Sequence, residues 1–338
     1  MKKIITILIV SSVLSLVLVS TGICKYNKLA QTGMKFLSIS TDARASALGD
    51  AFTAVDGNSL SMFYNPSTMA NMRGLTNIAL GQINWIADIK YAFGSLALSP
   101  KNGTYGVWGI SVLSVNYGDF VGTVRDASDQ GFAETGLFSP SAISIGVGYA
   151  KALSSKFSVG ANIKLVKQDL GNSVIGVNDD GSYEEKGYNE TVTAYDFGVL
   201  YRTGFESLNF GMCIRNFSRE VTYEDEGFQL PLTFKIGVSM NIFDLYQPLN
   251  TRYHSLLLSI DAVHPRDYPE QLNIGAEYLF MKTFALRAGY SSPNDEHGLS
   301  AGVGFTQSLA NFMLALDYSY TPFDLFEDVH RFSLQFSF

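Results

Sequence analysis

The chain has 338 residues, a formal net charge of -7 and only 16% charged residues, against 46% hydrophobic and 13% aromatic. This excludes a disordered or coiled-coil chain, which is rich in charge and poor in aromatics. With 24 Lys+Arg against 31 Asp+Glu and no basic cluster, nucleic-acid binding is excluded too, because it rests on neutralising phosphates.

Met1-Lys2-Lys3 followed by the apolar run Ile4 to Val19 has the layout of a secretory signal peptide over 1–24, with the cut between about Gly22 and Lys25. Cys24 follows Ile23 rather than a small residue, so it reads as part of the leader in preference to a lipidated cysteine. A retained anchor is the other alternative. Cys213 alone remains in the mature chain, so no disulfide framework is expected.

Residues 25–74 lack a two-residue period and are predicted to form an N-terminal hatch of short helices. Asp42 to Leu48, stopped at Gly49, reads as one helical stretch. Asn65 reads as an N-cap with Pro66 at the first helical position, leading into Ser67, Thr68, Met69 and Ala70. Phe36, Leu37, Phe52, Phe63 and Tyr64 are expected to pack the hatch.

From 75 to 338 apolar residues recur at every second position in segments of barrel-strand length. Fourteen strands are predicted: 75–86, 90–98, 104–115, 142–150, 156–168, 191–202, 207–217, 232–241, 253–262, 271–280, 283–290, 298–307, 311–320 and 330–338. One face is apolar. The other carries Lys164, Asp196, Arg215, Lys235, Asp261, Glu277, Arg287, Asp317 and Arg331 among Gly, Ser and Asn. A soluble sandwich would turn dense charged rows outward, whereas a few charges of mixed sign suit the lumen of an outer-membrane barrel. Each such charge needs an opposite charge or water nearby.

Long connections near 116–141, 169–190 and 218–231 alternate with short ones near 151–155, 203–206, 281–282 and 308–310, which places both barrel ends on the periplasmic side. The connections at 87–89 and 242–252 break the alternation. Segment 169–190 carries Asp169, Asp179, Asp180, Glu184, Glu185 and Glu190 against Lys186, read as solvated loop surface in preference to Ca²⁺ ligands. The last strand alternates Phe332, Leu334, Phe336 and Phe338 with polar residues and ends on Phe, like the terminal strand that barrel assembly machinery recognises. Trp85, Tyr91, Trp108, Tyr117, Tyr149, Tyr201, Tyr290, Tyr318 and Tyr320 are expected in interfacial girdles against outer-membrane lipid.

Three segments, Thr32-Gly33-Met34-Lys35-Phe36-Leu37-Ser38-Ile39, the run Asp42 to Val55, and Phe63-Tyr64-Asn65-Pro66, resemble the N-terminal block of the PorV/PorQ family. That family belongs to the FadL-like superfamily of outer-membrane barrels. The resemblance implies that Asn65, Pro66 and Ser67 stand for the superfamily's hatch motif Asn-Pro-Ala, with Ser67 in place of the usual Ala. It implies one of two functions: service to type IX secretion, with secreted proteins or other secretion subunits as partners, or passive passage of hydrophobic small molecules, with a fatty-acid-like ligand in an apolar pocket near Phe36, Leu37, Phe52, Phe63 and Tyr64.

No G-x-S-x-G elbow or P-loop is present. The four His, at 254, 264, 297 and 330, show no metal-ligand spacing, and His254 and Ser255 point to opposite strand faces. Neither an enzyme nor a metal or cofactor is expected. The overall expectation is an all-β transmembrane barrel over 75–338, plugged by 25–74, in a bacterial outer membrane.

Overall fold

The computed structural model describes residues 32–126, 129–178, 182–245, 253–294, 297–310, 312–323 and 326–338. The leader expected over 1–24 and the start of the hatch lie outside these residues. Eighteen strands follow in chain order: β1 (Thr76–Asn84), β2 (Lys90–Leu98), β3 (Val107–Asn116), β4 (Phe120–Arg125), β5 (Phe132–Phe138), β6 (Ser141–Ala152), β7 (Phe157–Val177), β8 (Tyr183–Arg202) and β9 (Asn209–Ser218). Then come β10 (Val221–Thr222), β11 (Gly227–Phe228), β12 (Thr233–Asn241), β13 (His254–Pro265), β14 (Gln271–Phe280), β15 (Phe284–Ser292), β16 (Leu299–Leu309), β17 (Phe312–Thr321) and β18 (Val329–Ser337). Four of them, β4 with β5 and β10 with β11, form two small hairpins; the others close an antiparallel barrel in which β1 pairs with β18.

Closure is sealed at the last residue: the Phe338 amide donates to the Thr76 carbonyl at 2.9 Å, and its own carbonyl accepts from Leu75 at 2.7 Å. The barrel thus has no free edge, which is what lets strands cross a hydrocarbon layer. No helix among the described residues is long and apolar enough to do so. The period of two sets the two faces. On β7, Ile163 and Leu165 are exposed on the outer surface while Asn162 and Lys164 are buried in the lumen.

Two predicted strands are much longer than expected. Beyond position 168, β7 and β8 continue as a paired ribbon to Val177 and Tyr183. The expected loop 169–190 is therefore mostly β-structure, and the loops on either side carry the hairpins β4–β5 and β10–β11. All three rise from the end with the long connections, which is the outer end.

The hatch lies inside the barrel. Lys35–Ser38 is a 3-10 turn, α1 (Ala43–Ala47) is a short helix, and Ser59–Phe63 and Pro66–Asn71 are 3-10 helices. Asp42 caps α1 by accepting from the Ala45 amide. Asn65 caps the last helix with Pro66 at its start, as the Asn-Pro pair predicts, although the helix is 3-10 in geometry. The described chain begins at the outer mouth, where Thr32 bridges to Gln229 between β11 and β12, and the hatch runs down to enter β1 at the inner end.

Candidate functional site

The lumen wall is shaped to receive the hatch. A Cβ at Gly160 on β7 would sit 2.5 Å from the Pro66 carbonyl carbon, and one at Gly275 on β14 would be 2.5 Å from the Leu48 carbonyl oxygen. Gly198, Gly211, Gly289 and Gly302 likewise face hatch atoms at overlapping distance. Small residues at these inward positions are what allow the two backbones to touch.

Asn65 is the central tie. Its Nδ2 donates to the Thr53 carbonyl at 2.8 Å and to the Val199 carbonyl of β8 at 3.2 Å. Its Oδ1 accepts from the Ser67 amide at 3.1 Å and from the Ser67 hydroxyl at 2.7 Å. The hydroxyl that distinguishes Ser67 from alanine thus adds a bond to the cap. The Pro66 ring lies against Gly198, and its carbonyl faces Gly160.

Four of the luminal charges, Glu277, Asp261, Arg215 and Arg331, bond this plug directly. Arg44 of α1 donates to both oxygens of Glu277, at 2.8 and 2.7 Å. Arg287 donates to Glu277 at 2.5 Å and to Asp317 at 2.6 Å, giving a chain of alternating sign from the hatch across β14, β15 and β17. Asp261 accepts from the Phe52 amide, the Thr53 amide and the Thr53 hydroxyl, at 3.0, 2.9 and 2.6 Å. Lys164 pairs with Asp196 at 2.8 Å, and Asp196 also accepts from the Asn216 amide at a bulge in β9. Arg331 reaches the Ser40 carbonyl at 3.1 Å and Arg215 the Leu37 carbonyl at 3.4 Å. Opposite charges or water are the partners expected from the sequence; Asp261, Arg215 and Arg331 use backbone groups of the hatch in addition. Inside the hatch, burial and then the nearby Asp317 charge push the Asp42 carboxyl up to about 6.

Above the hatch the lumen opens into a cavity of about 1630 Å³ at the outer end. Phe36, Leu37 and Tyr64 line it together with Trp85, Tyr91 and Tyr117, and Arg215, Lys235 and Arg331 reach its wall. Of the residues expected in a ligand pocket, Phe52 and Phe63 are elsewhere: Phe52 packs edge-on against Tyr64 at 5.2 Å and Phe63 against Phe93 at 5.7 Å. Trp85, Tyr91 and Tyr117, expected at the lipid interface, turn into the lumen instead. Trp85 packs on Tyr91 and Phe323, and Arg331 lies over its ring. Trp108 and Tyr201 do face outward and are exposed. The cavity floor is pinned at its rim by Asp267, between β13 and β14, which accepts from Thr32 at 2.5 Å and pairs with Lys35.

The assembly-signal residues follow strand parity. Phe332 packs at a tilt against Tyr318 on the outer surface at 5.0 Å, Leu334 and Phe336 share that face, and Phe338 packs against Phe312 at 5.9 Å. Among the described residues no group of three His, Cys, Asp or Glu could hold a metal ion. His264 pairs with Glu270 at 3.0 Å; His254 and His330 each bond a tyrosine, Tyr278 and Tyr318.

A closed antiparallel barrel with an apolar outer surface and a packed luminal hatch defines an outer-membrane protein of a bacterium. Residues 132–336 match the model of the type IX secretion system membrane protein PorP/SprF family, and the chain belongs to that family. The N-terminal block that resembles PorV/PorQ proteins lies outside the matched stretch, so it is the PorP/SprF family that is shown. Among solved structures the chain is similar to the Ralstonia pickettii toluene transporter TbuX, at 13% identity and a TM-score of 0.60 over 88% of this chain and 98% of that one. It is also similar to the Pseudomonas putida toluene transporter TodX, at 11% identity and a TM-score of 0.57 over 86% of this chain and 96% of that one. A Pseudomonas aeruginosa FadL homologue aligns at 12% identity and 0.52 over 88% and 97%. At such identities the likeness is one of fold. No curated protein matches the chain.

Proposed function

We propose that this barrel is a non-enzymatic docking or shuttling component of type IX secretion, holding secreted proteins or other secretion subunits at its outer end. Membership in a type IX membrane-protein family supports the pathway. The observation that carries the docking role is the contrast between the two ends. The inner lumen is filled by a hatch tied through Asn65, Arg44 and Asp261, while the outer end raises the β7–β8 ribbon and two hairpins into solvent. Loops on a rigid scaffold are where recognition surfaces are built. The test replaces 169–190 by a short turn joining Gln168 to Thr191. Lys167 and Thr191 are paired neighbours and are both retained, so the barrel below them closes unchanged. Loss of partner capture with an intact barrel supports the proposal.

A second reading is passive transport of hydrophobic small molecules, favoured by the large aromatic cavity and by the fold shared with TbuX and TodX, which are toluene transporters. It requires the hatch to yield a path. Substitutions in the hatch, and not deletion of 169–190, would then change uptake.

A further inference from the structure

Beyond the barrel rim, one strand edge is exposed in a way that soluble surfaces avoid. The outward apolar row of β7 ends at Leu165, followed by Lys167 and Asp169, so the hydrocarbon boundary is passed there. β6 pairs with β7 only as far as Ser141 with Asp169. From Leu170 to Val177 the strand is paired to β8 on one side, and among the described residues no strand pairs with it on the other. This stretch, Leu170-Gly171-Asn172-Ser173-Val174-Ile175-Gly176-Val177, has no charge and no proline. Native edges are usually blunted by lysine, proline or a covering element, because an open row of N–H and C=O groups recruits another strand. Two bulges in the pairing with β8, between Asp169 and Asn172 and between Val174 and Gly176, set the local twist without adding a charge.

Among the described residues the neighbouring hairpin does not pair with that side. β5 meets β7 at its base, where Phe138 lies against Gly171, and no backbone pairing joins them above. Apolar side chains stand in solvent around the opening: Leu137 is 73% exposed, Val177 65% and Ile175 52%. Carboxylates outnumber the exposed cations around them, which are Lys167 below the edge and Arg125 on β4. Glu134, Glu184 and Glu185 are exposed, Asp169 stands at the base, and the nearby Lys186 is already paired with Glu224 across the next loop.

We propose that the 170–177 edge of β7 is a strand-addition site, and that its occupant is an extended, β-branched segment of a secreted protein bearing lysine or arginine at alternate positions. Main-chain hydrogen bonds to the open edge supply the pairing. Alternate apolar side chains cover Ile175, Val177 and Leu137, and the basic ones face the surrounding carboxylates. This rests on the docking role proposed above and names its mode and the chemistry of its partner.

The test uses the full-length barrel in detergent micelles and two synthetic 12-residue peptides, one alternating Lys and Val, the other alternating Glu and Val. Amide hydrogen exchange should slow at 170–177 with the Lys-Val peptide and stay unchanged with the Glu-Val peptide. The double variant Val174→Lys, Val177→Lys should weaken Lys-Val binding at least tenfold. Glu184→Lys with Glu185→Lys, exposed on the two faces of the ribbon, should weaken it without touching the edge; heat-shifted gel mobility verifies that each barrel is folded. Absence of slowed exchange at 170–177, equal response to both peptides, or full affinity in the lysine variant overturns the proposal. The docking role is judged separately. If secreted proteins are captured by the wild type and by the lysine variant but not after deletion of 169–190, docking stands and strand addition falls. If the wild type captures none, docking itself falls.

Discussion

Asn65 holds together three parts of the chain that are far apart in sequence: the turn at Thr53, its own helix start and strand β8. Replacing it with alanine removes the cap, leaves the buried Thr53 carbonyl short of a donor and cuts the tie to Val199. A loss of about 2 kcal/mol in hatch docking is expected from such unmade bonds, read as earlier proteolytic cutting between 32 and 74 while the barrel keeps its heat-shifted mobility. Asp42 gives a pH signature. Its carboxyl titrates at about 6 inside the hatch against an ordinary 3.8, so the folded form takes up the proton first as the pH falls. Its contribution to stability therefore rises between pH 6 and about 3.8 and is constant below that. Asp42→Asn keeps the oxygen that caps Ala45 and removes the buried charge. The variant should melt at a higher temperature than wild type at pH 7.5, with the advantage fading by pH 4; a constant difference across that range would remove Asp42 from the account.

At the scale of elements, the barrel strands were legible because each has one face in lipid and the other in the lumen. On β9, Phe210, Met212 and Ile214 alternate with Asn209, Gly211, Cys213 and Arg215, and the same split recurs on β12. The ribbon above Gln168 was not legible, because both of its faces meet solvent and no period of two is imposed on Leu170 to Val177. Trp85, Tyr91 and Tyr117 were assigned to the lipid interface from their place at strand ends, yet Tyr91 shares parity with Phe93, Ser95 and Ala97, all inward and buried. They wall the outer cavity instead. The cavity could not be read in advance, since it joins the 33–40 limb of the hatch to strand ends scattered over the whole chain. A clue to the hatch contact was present in the inward glycines. Their positions match the luminal parity of their strands, and polar side chains would fill a watered lumen equally well. Gly160→Val tests this reading: the added atoms meet the Pro66 backbone, which cannot move as a side chain can. Overpacking of about 1–3 kcal/mol is expected, lowering the thermal midpoint and freeing the hatch to protease. An unchanged midpoint would show that hatch and wall are not in contact there.

For the whole molecule, the division between a rigid, filled inner end and a projecting outer end decides the functional reading. The barrel sets the outer ribbon and hairpins at fixed places, and the charge chain from Arg44 to Asp317 locks the hatch to the wall that carries them. A channel for small molecules would place the moving part in the hatch, whereas a docking protein places its specificity in β4–β5, β7–β8 and β10–β11. The most direct measurement is affinity purification of the full-length protein from native outer membranes, beside the variant in which a short turn replaces 169–190, with mass spectrometry of co-purifying proteins and extracted lipids. The account predicts secreted proteins or other secretion subunits at near-equal amounts with the wild type and their loss from the variant. A lone barrel carrying a fatty acid or another apolar molecule, unaffected by the deletion, would contradict it.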